Sequence, residues 1–287
     1  MTFDTFLDEA WRDHGERPEE VAARLEQGYA LIEMPAQIAP FARLIAHVDG
    51  EHLARWRDGA ARLARLRSHP KWTGDGDAPA IVRRLIAALG VAGGDEMESG
   101  LDGADRAHAH AVAAAALIEQ RDTAAAIRHF RSALAAAAPG LPERDPAIRA
   151  LAVASNNVAS ALEEQPLRDA GQTRAMLEAA AASREYWAQA GTWLETERAE
   201  YVLAKCHLAV GDAAAALEHA MACVAICERN GADGFERFFA QAALALARRA
   251  GGDAAGYASA KDAALGCHAA LAANLLPWCE PTLRLLT

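Results

Sequence analysis

Small and apolar residues return every three or four positions along most of this chain, with no convincing alternation of period two. The clearest stretch runs from Leu203 to Cys227. Before Gly211, Leu203, Ala204 and His207 fall at i, i+1 and i+4; after Asp212, Ala216, Ala220 and Cys223 recur at i, i+4 and i+7. The pattern predicts two amphipathic helices joined by Gly211-Asp212. A face of alanine and cysteine lets another helix approach closely but buries little area alone, at roughly 25 cal/mol per Å². Such a hairpin needs neighbours.

The same periodicity predicts helices over Thr2–Asp13 and Pro18–Leu31, where Pro18 suits the first helical position and Glu19-Glu20 suit the positive end of the dipole. A third helix from Gln37 to Val48 is expected to stop at Asp49-Gly50. A fourth runs from Glu51 to Ser68 with Leu53, Trp56, Ala60, Leu63 and Leu66 on one face. After an exposed loop over 71–79, a short helix spans Pro79–Val91. Residues 93–105, GGDEMESGLDGAD, are acidic, glycine-rich and nearly devoid of apolar side chains, as expected of a solvated linker. The expected organisation is therefore N-terminal helical hairpins over 1–92, a linker over 93–105 and a hairpin array over 106–287.

Composition narrows the class. The 52% apolar content is dominated by alanine, which favours helix over sheet. A net charge of -10 and a pI near 5.5 argue against a nucleic-acid or anionic-membrane surface. The N-terminus carries acidic residues early and no long apolar run, so a cytoplasmic protein without a membrane span is expected. The cysteines at 206, 223, 227, 267 and 279 are odd in number and sit in predicted helices. They fit free buried thiols rather than a disulfide frame.

Residues 120–134, QRDTAAAIRHFRSAL, can be laid without a gap on the tetratricopeptide repeat (TPR) consensus, with Ala126, Phe130 and Ala133 at its second-helix packing positions. Taking Asp122 and Asp212 as equivalent turns, units begin near Ala107, Ala152 and Glu197, 45 residues apart, and a more degenerate one near Phe238. That period exceeds the ordinary 34 residues. The run SNNVASALEE, Ser155 to Glu164, resembles the asparagine-asparagine-leucine-alanine signature of the long repeats of kinesin light chains. The resemblance covers roughly residues 103–270 and implies an all-α fold, a right-handed α-solenoid of stacked antiparallel hairpins with about fourteen helices over the whole chain.

The resemblance also implies a groove. In TPR units the second, fifth and ninth positions of the first helix face the concave side. Here these are His108, Ala111 and Ala115; Val153, Asn156 and Ser160; and Arg198, Tyr201 and Lys205. Asparagine amides with Arg198 and Lys205 would hold an extended, acidic peptide. The competing reading makes them solvated residues, with Asn157 closing a hydrogen bond between hairpins. Tyr186, Trp187, Trp193 and Tyr201, and again Phe235, Phe238 and Phe239, fit junction packing better than partner anchors.

Other chemistry is thin. His47, Glu51 and His52 match neither zinc-protease motif, and a break at Asp49-Gly50 would keep them from aligning. His108 and His110 diverge by about 200° on a helix. Cys223 and Cys227 read as small core residues. No catalytic frame, cofactor or metal set emerges. The expectation is a non-catalytic adaptor for a protein or peptide, with two alternatives kept open. One is a peptide-sensing regulator with an N-terminal helical effector part, which the arrangement resembles; the other is an enzyme on a helical scaffold.

Overall fold

The computed structural model describes residues 1–96 and 101–286. Among these residues there is no strand. The helices are α1 (Phe3–Asp13), α2 (Pro18–Ala30), α3 (Ile38–Ile45), α4 (Trp56–Arg65), α5 (Ala78–Ala92), α6 (Gly103–Glu119), α7 (Thr123–Ala137), α8 (Pro146–Glu163), α9 (Ala170–Ala190), α10 (Trp193–Ala209), α11 (Ala213–Asn230), α12 (Gly234–Ala250), α13 (Ala254–Ala269) and α14 (Leu276–Leu285). None is long and apolar enough to cross a membrane. The chain forms two compact units, Met1–Val158 and Ala159–Thr287, a division that falls inside α8.

In the first unit, Phe3 and Phe6 of α1, Leu25 of α2 and Phe41, Leu44 and Ile45 of α3 form a core that Leu63, Val82, Leu85 and Leu89 extend. Gly28 makes this approach possible, because a Cβ there would stand 2.3 Å from the Phe6 ring and 2.6 Å from that of Phe41.

The winding does not stop at Asp49-Gly50 as the sequence predicts. Residues Ala46–His52 continue α3 as a π-helix, with the Leu53 N–H donating to the Val48 carbonyl at 3.1 Å. Tertiary contacts override the local breaker. Asp49 is fully buried and accepts from Arg62 at 3.1 and 3.2 Å, while Gly50 admits the Leu89 side chain, which would lie 2.6 Å from a Cβ. The next helix consequently starts at Trp56, not Glu51, and Leu53 lies outside it.

Of the expected linker, residues 97–100 lie outside the described part, and 93–96 are exposed. Its last residues are not a solvated linker. Leu101 and Ala104 are buried, Asp102 caps α6 through the Asp105 N–H, and Asp105 accepts from Arg83 and Arg84 at 2.6 Å each. Arg84 also reaches both carboxylate oxygens of Asp145 at 3.0 Å. The acidic composition of this segment predicts solvation, but the arginines that partner Asp105 sit about twenty positions upstream.

One turn recurs. Asp122, Asp212 and Asp253 each cap the following helix by accepting the N–H three residues on. Each follows a residue of positive φ, namely Arg121 (62°), Gly211 (79°) or Gly252 (78°). Each also donates its own N–H to the carbonyl five residues back, at 2.9 Å. This closes the first helix and opens the second with local bonds only. The helices α6, α8, α10 and α12 begin four to six residues before the expected unit starts.

In the second unit α10 packs on α9 and α11, α12 packs on α11 and α13, and the first helices α10 and α12 also touch. Ala204, Ala216, Ala220, Ala243 and Ala247 form their common face and are at most 1% exposed. Ala126 and Ala133 are likewise fully buried, as the repeat spacing predicts. Phe238 is fully buried and meets Phe239 edge-on, so this aromatic cluster is core. The last helix, α14, packs on α12 by burying Cys279 and Leu286 against the Phe238 cluster, and the Tyr257 hydroxyl donates to the Leu286 carbonyl at 2.8 Å.

Candidate functional site

Two of the expected groove residues come together in the second unit. Tyr201, Lys205 and Leu208 of α10 line one wall of a cleft of about 440 Å³, Ala243, Leu246 and Arg249 of α12 line its floor, and Pro281, Thr282 and Leu285 of α14 close the far side. Glu163 stands at its edge and holds the Lys205 ammonium at 2.6 Å. Burial works against that charge, but Tyr201 and Glu163 outweigh it and raise the lysine pKa. Burial pushes the Tyr201 phenol up as well, and its ring meets Phe239 edge-on at 5.7 Å. Arg249 is exposed, with its guanidinium 5.4 Å from the Tyr257 ring centroid.

The remaining expected residues lie elsewhere. Arg198 grips Glu236 of α12 through Nε, at 3.3 Å, and Nη2, and it does not line the cleft. That hydrogen-bonded pair raises the guanidinium pKa. Asn156, Asn157 and Ser160 of α8 are half-buried and line neither this cleft nor the one in the first unit, and the Asn156 amide donates to Asn157 at 3.4 Å. His108 of α6 lines a separate cleft in the first unit, with Arg84, Ala115 and Val153 around it. Burial, with Arg84 beside it, lowers the imidazole pKa to about 4, and its buried Nδ1 has no hydrogen-bond partner among the described residues. Ala111 is fully buried and lines neither cleft.

Leu246, Arg249, Thr282, Leu285 and Glu163 complete the groove and escaped the sequence reading. A signal existed for one of them. The ninth position of the unit starting near Phe238 is Leu246, and its second position is the Phe239 that meets Tyr201. Thr282 and Leu285 carry no such signal, because only the packing of α14 on α12 brings them there.

Beside α10 lies a closed polar cluster. The Cys223 thiol donates to Glu197 Oε1 at 2.6 Å and that of Cys227 to the same oxygen at 3.6 Å. Glu197 is 1% exposed, and burial pushes its carboxyl up to about 7. Burial also holds the Cys227 thiol up to about 12 and drives that of Cys223 further upward. Both sulfurs stay protonated as hydrogen-bond donors, unlike the thiolates of nucleophilic cysteines. All five cysteines are free, and Cys223 and Cys227 occupy the core positions expected of them.

No protein-family model matches this chain, and no curated protein sequence does. The groove of the second unit must be read from its own groups. It offers an apolar floor, one phenol, one ion pair and one exposed guanidinium.

Proposed function

We propose that this chain is a non-catalytic, cytoplasmic adaptor of long TPR-like hairpins that holds a peptide or protein segment in the groove between α10, α12 and α14. The observation that carries this reading is the groove's inventory. Leu208, Ala243, Leu246 and Leu285 provide a seat for one large apolar side chain. Arg249 is the cation at the edge that pairs with a carboxylate of the guest, since Lys205 already holds Glu163. An acidic segment with an apolar anchor is the expected guest. The net charge of -10 supports a protein partner over nucleic acid.

The test is selection of a displayed random peptide library on the immobilised full chain, followed by affinity measurement with two surface variants. Leu285 and Arg249 are exposed, so Leu285→Lys and Arg249→Glu alter the groove without emptying a core. Selected peptides should share a large apolar residue beside Asp or Glu. Arg249→Glu should weaken them about tenfold, equivalent to about 1.4 kcal/mol, and reduce their sensitivity to salt. A library that yields no consensus, or peptides held equally well by wild type and both folded variants, refutes this reading.

A further inference from the structure

The π-helical turn of the first unit gathers three imidazoles that no expected motif connects. Residues five apart on an α-helix point about 140° away from each other, at roughly 100° per residue. In a π-helix, whose hydrogen bonds span five residues, they stack on one face. His47 and His52 are such a pair within Ala46–His52, and their Nε2 atoms stand 3.1 Å apart. His14, the C-terminal cap of α1, brings a third ring, with centroids 4.8 Å from His47 and 5.2 Å from His52. One ligand atom from each of the three lies within 4.8 Å of the others, and all three residues are half-buried, within reach of solvent.

The hydrogen bonds decide which nitrogens are available. His14 Nδ1 donates to the Trp11 carbonyl at 2.5 Å, which leaves its Nε2 lone pair bare. His47 Nδ1 donates to the Glu51 carboxylate at 2.9 Å, which leaves the His47 Nε2 bare too. A carboxylate behind an imidazole is the arrangement that orients metal-bound histidines and raises their basicity. The turn carrying Glu51 is itself held, because the Gln120 amide donates to the Glu51 carbonyl at 2.5 Å. With His47 Nε2 as acceptor, the proton between His47 and His52 belongs to His52. An ion can replace it. Two nitrogens each about 2.0–2.1 Å from a tetrahedral zinc stand roughly 3.3–3.4 Å apart, so the observed 3.1 Å needs only a small opening.

We propose that His14, His47 and His52 form a three-histidine site for a divalent transition metal of the zinc class, with Glu51 orienting His47 and a fourth coordination position left for water or an anionic ligand.

The test uses chelator-treated full-length protein titrated with Zn²⁺ by calorimetry and with Co²⁺ by optical absorption. One equivalent should bind. His14→Ala and His52→Ala should each weaken binding more than tenfold, Glu51→Gln should weaken it about 10–100-fold, and His110→Ala should leave it unchanged. His110, whose Nδ1 meets His129 Nδ1 at 2.9 Å, is the control. Should a histidine variant fail to fold, the wild-type Co²⁺ spectrum decides alone: intense tetrahedral bands without thiolate charge transfer support the site. No uptake of either ion, a thiolate-to-cobalt band, or binding unaltered in folded His14→Ala overturns the proposal.

Discussion

Replacing Glu197 with glutamine should make this protein more stable at neutral and alkaline pH. In the unfolded chain the carboxyl titrates near its ordinary 4.5. In the folded one burial first, and the Glu236 carboxylate after it, raise the value to about 7 despite the Cys223 thiol donating to it. The folded state therefore binds the extra proton. Below pH 4.5 both states are protonated and burial of the neutral acid costs nothing further. Between 4.5 and about 7 the unfolded chain releases its proton while the folded chain keeps it, so stability falls as pH rises. At 1.36 kcal/mol per pH unit the loss approaches about 3 kcal/mol and is complete above pH 7. Glutamine preserves the shape and the Oε1 acceptor that Cys223 uses at 2.6 Å, and it does not titrate. Glu197→Gln is thus expected to match wild type within about 1 kcal/mol at pH 5 and to exceed it by about 2–3 kcal/mol at pH 8. Urea denaturation followed by far-UV circular dichroism at pH 5, 6, 7 and 8 measures this. Titrations of groups distant from Glu197 cancel in the difference between the two proteins. A difference that stays flat from pH 5 to 8, or a variant less stable than wild type at pH 8, refutes the reasoning.

Three further outcomes are expected. Ala204 is fully buried against Ala216, Ala220, Ala243 and Ala247, so Ala204→Leu should cost about 1–3 kcal/mol by overpacking, read as a lower melting temperature. Arg84→Ala removes the partner shared by Asp105 and Asp145 and leaves the 3%-exposed Asp105 with Arg83 as its arginine partner among the described residues; a loss of about 3 kcal/mol or more in urea denaturation is expected. Arg198→Ala strands the buried Glu236 and should cost about 1–2 kcal/mol, discounted because Arg198 itself is exposed. Adding Glu236→Gln should restore most of that in a double-mutant cycle. An additive cycle would show that the two side chains do not interact.

What the sequence by itself determined rests on bonds within one turn or on one helix face. The capping aspartates at 122, 212 and 253, the alanines at 126, 133, 204 and 216 and the core cysteines at 223 and 227 are legible because helix periodicity and turn chemistry are local. The groove was legible in half. Tyr201 and Lys205 follow from position on α10, but that Glu163 takes the lysine and Glu236 the Arg198 guanidinium depends on residues 42 and 38 positions away. Tertiary structure alone decided the rest. Asp49-Gly50 reads as a helix stop until Arg62 and Leu89 hold it inside a π-turn, and only that turn brings His47 over His52, and both near His14. A helix breaker acts through local preferences of about 1 kcal/mol. Burial of the Leu89 side chain against Gly50, about 2 kcal/mol, outweighs such a preference, Arg62 satisfies the carboxylate that the turn buries, and neither partner is near in sequence.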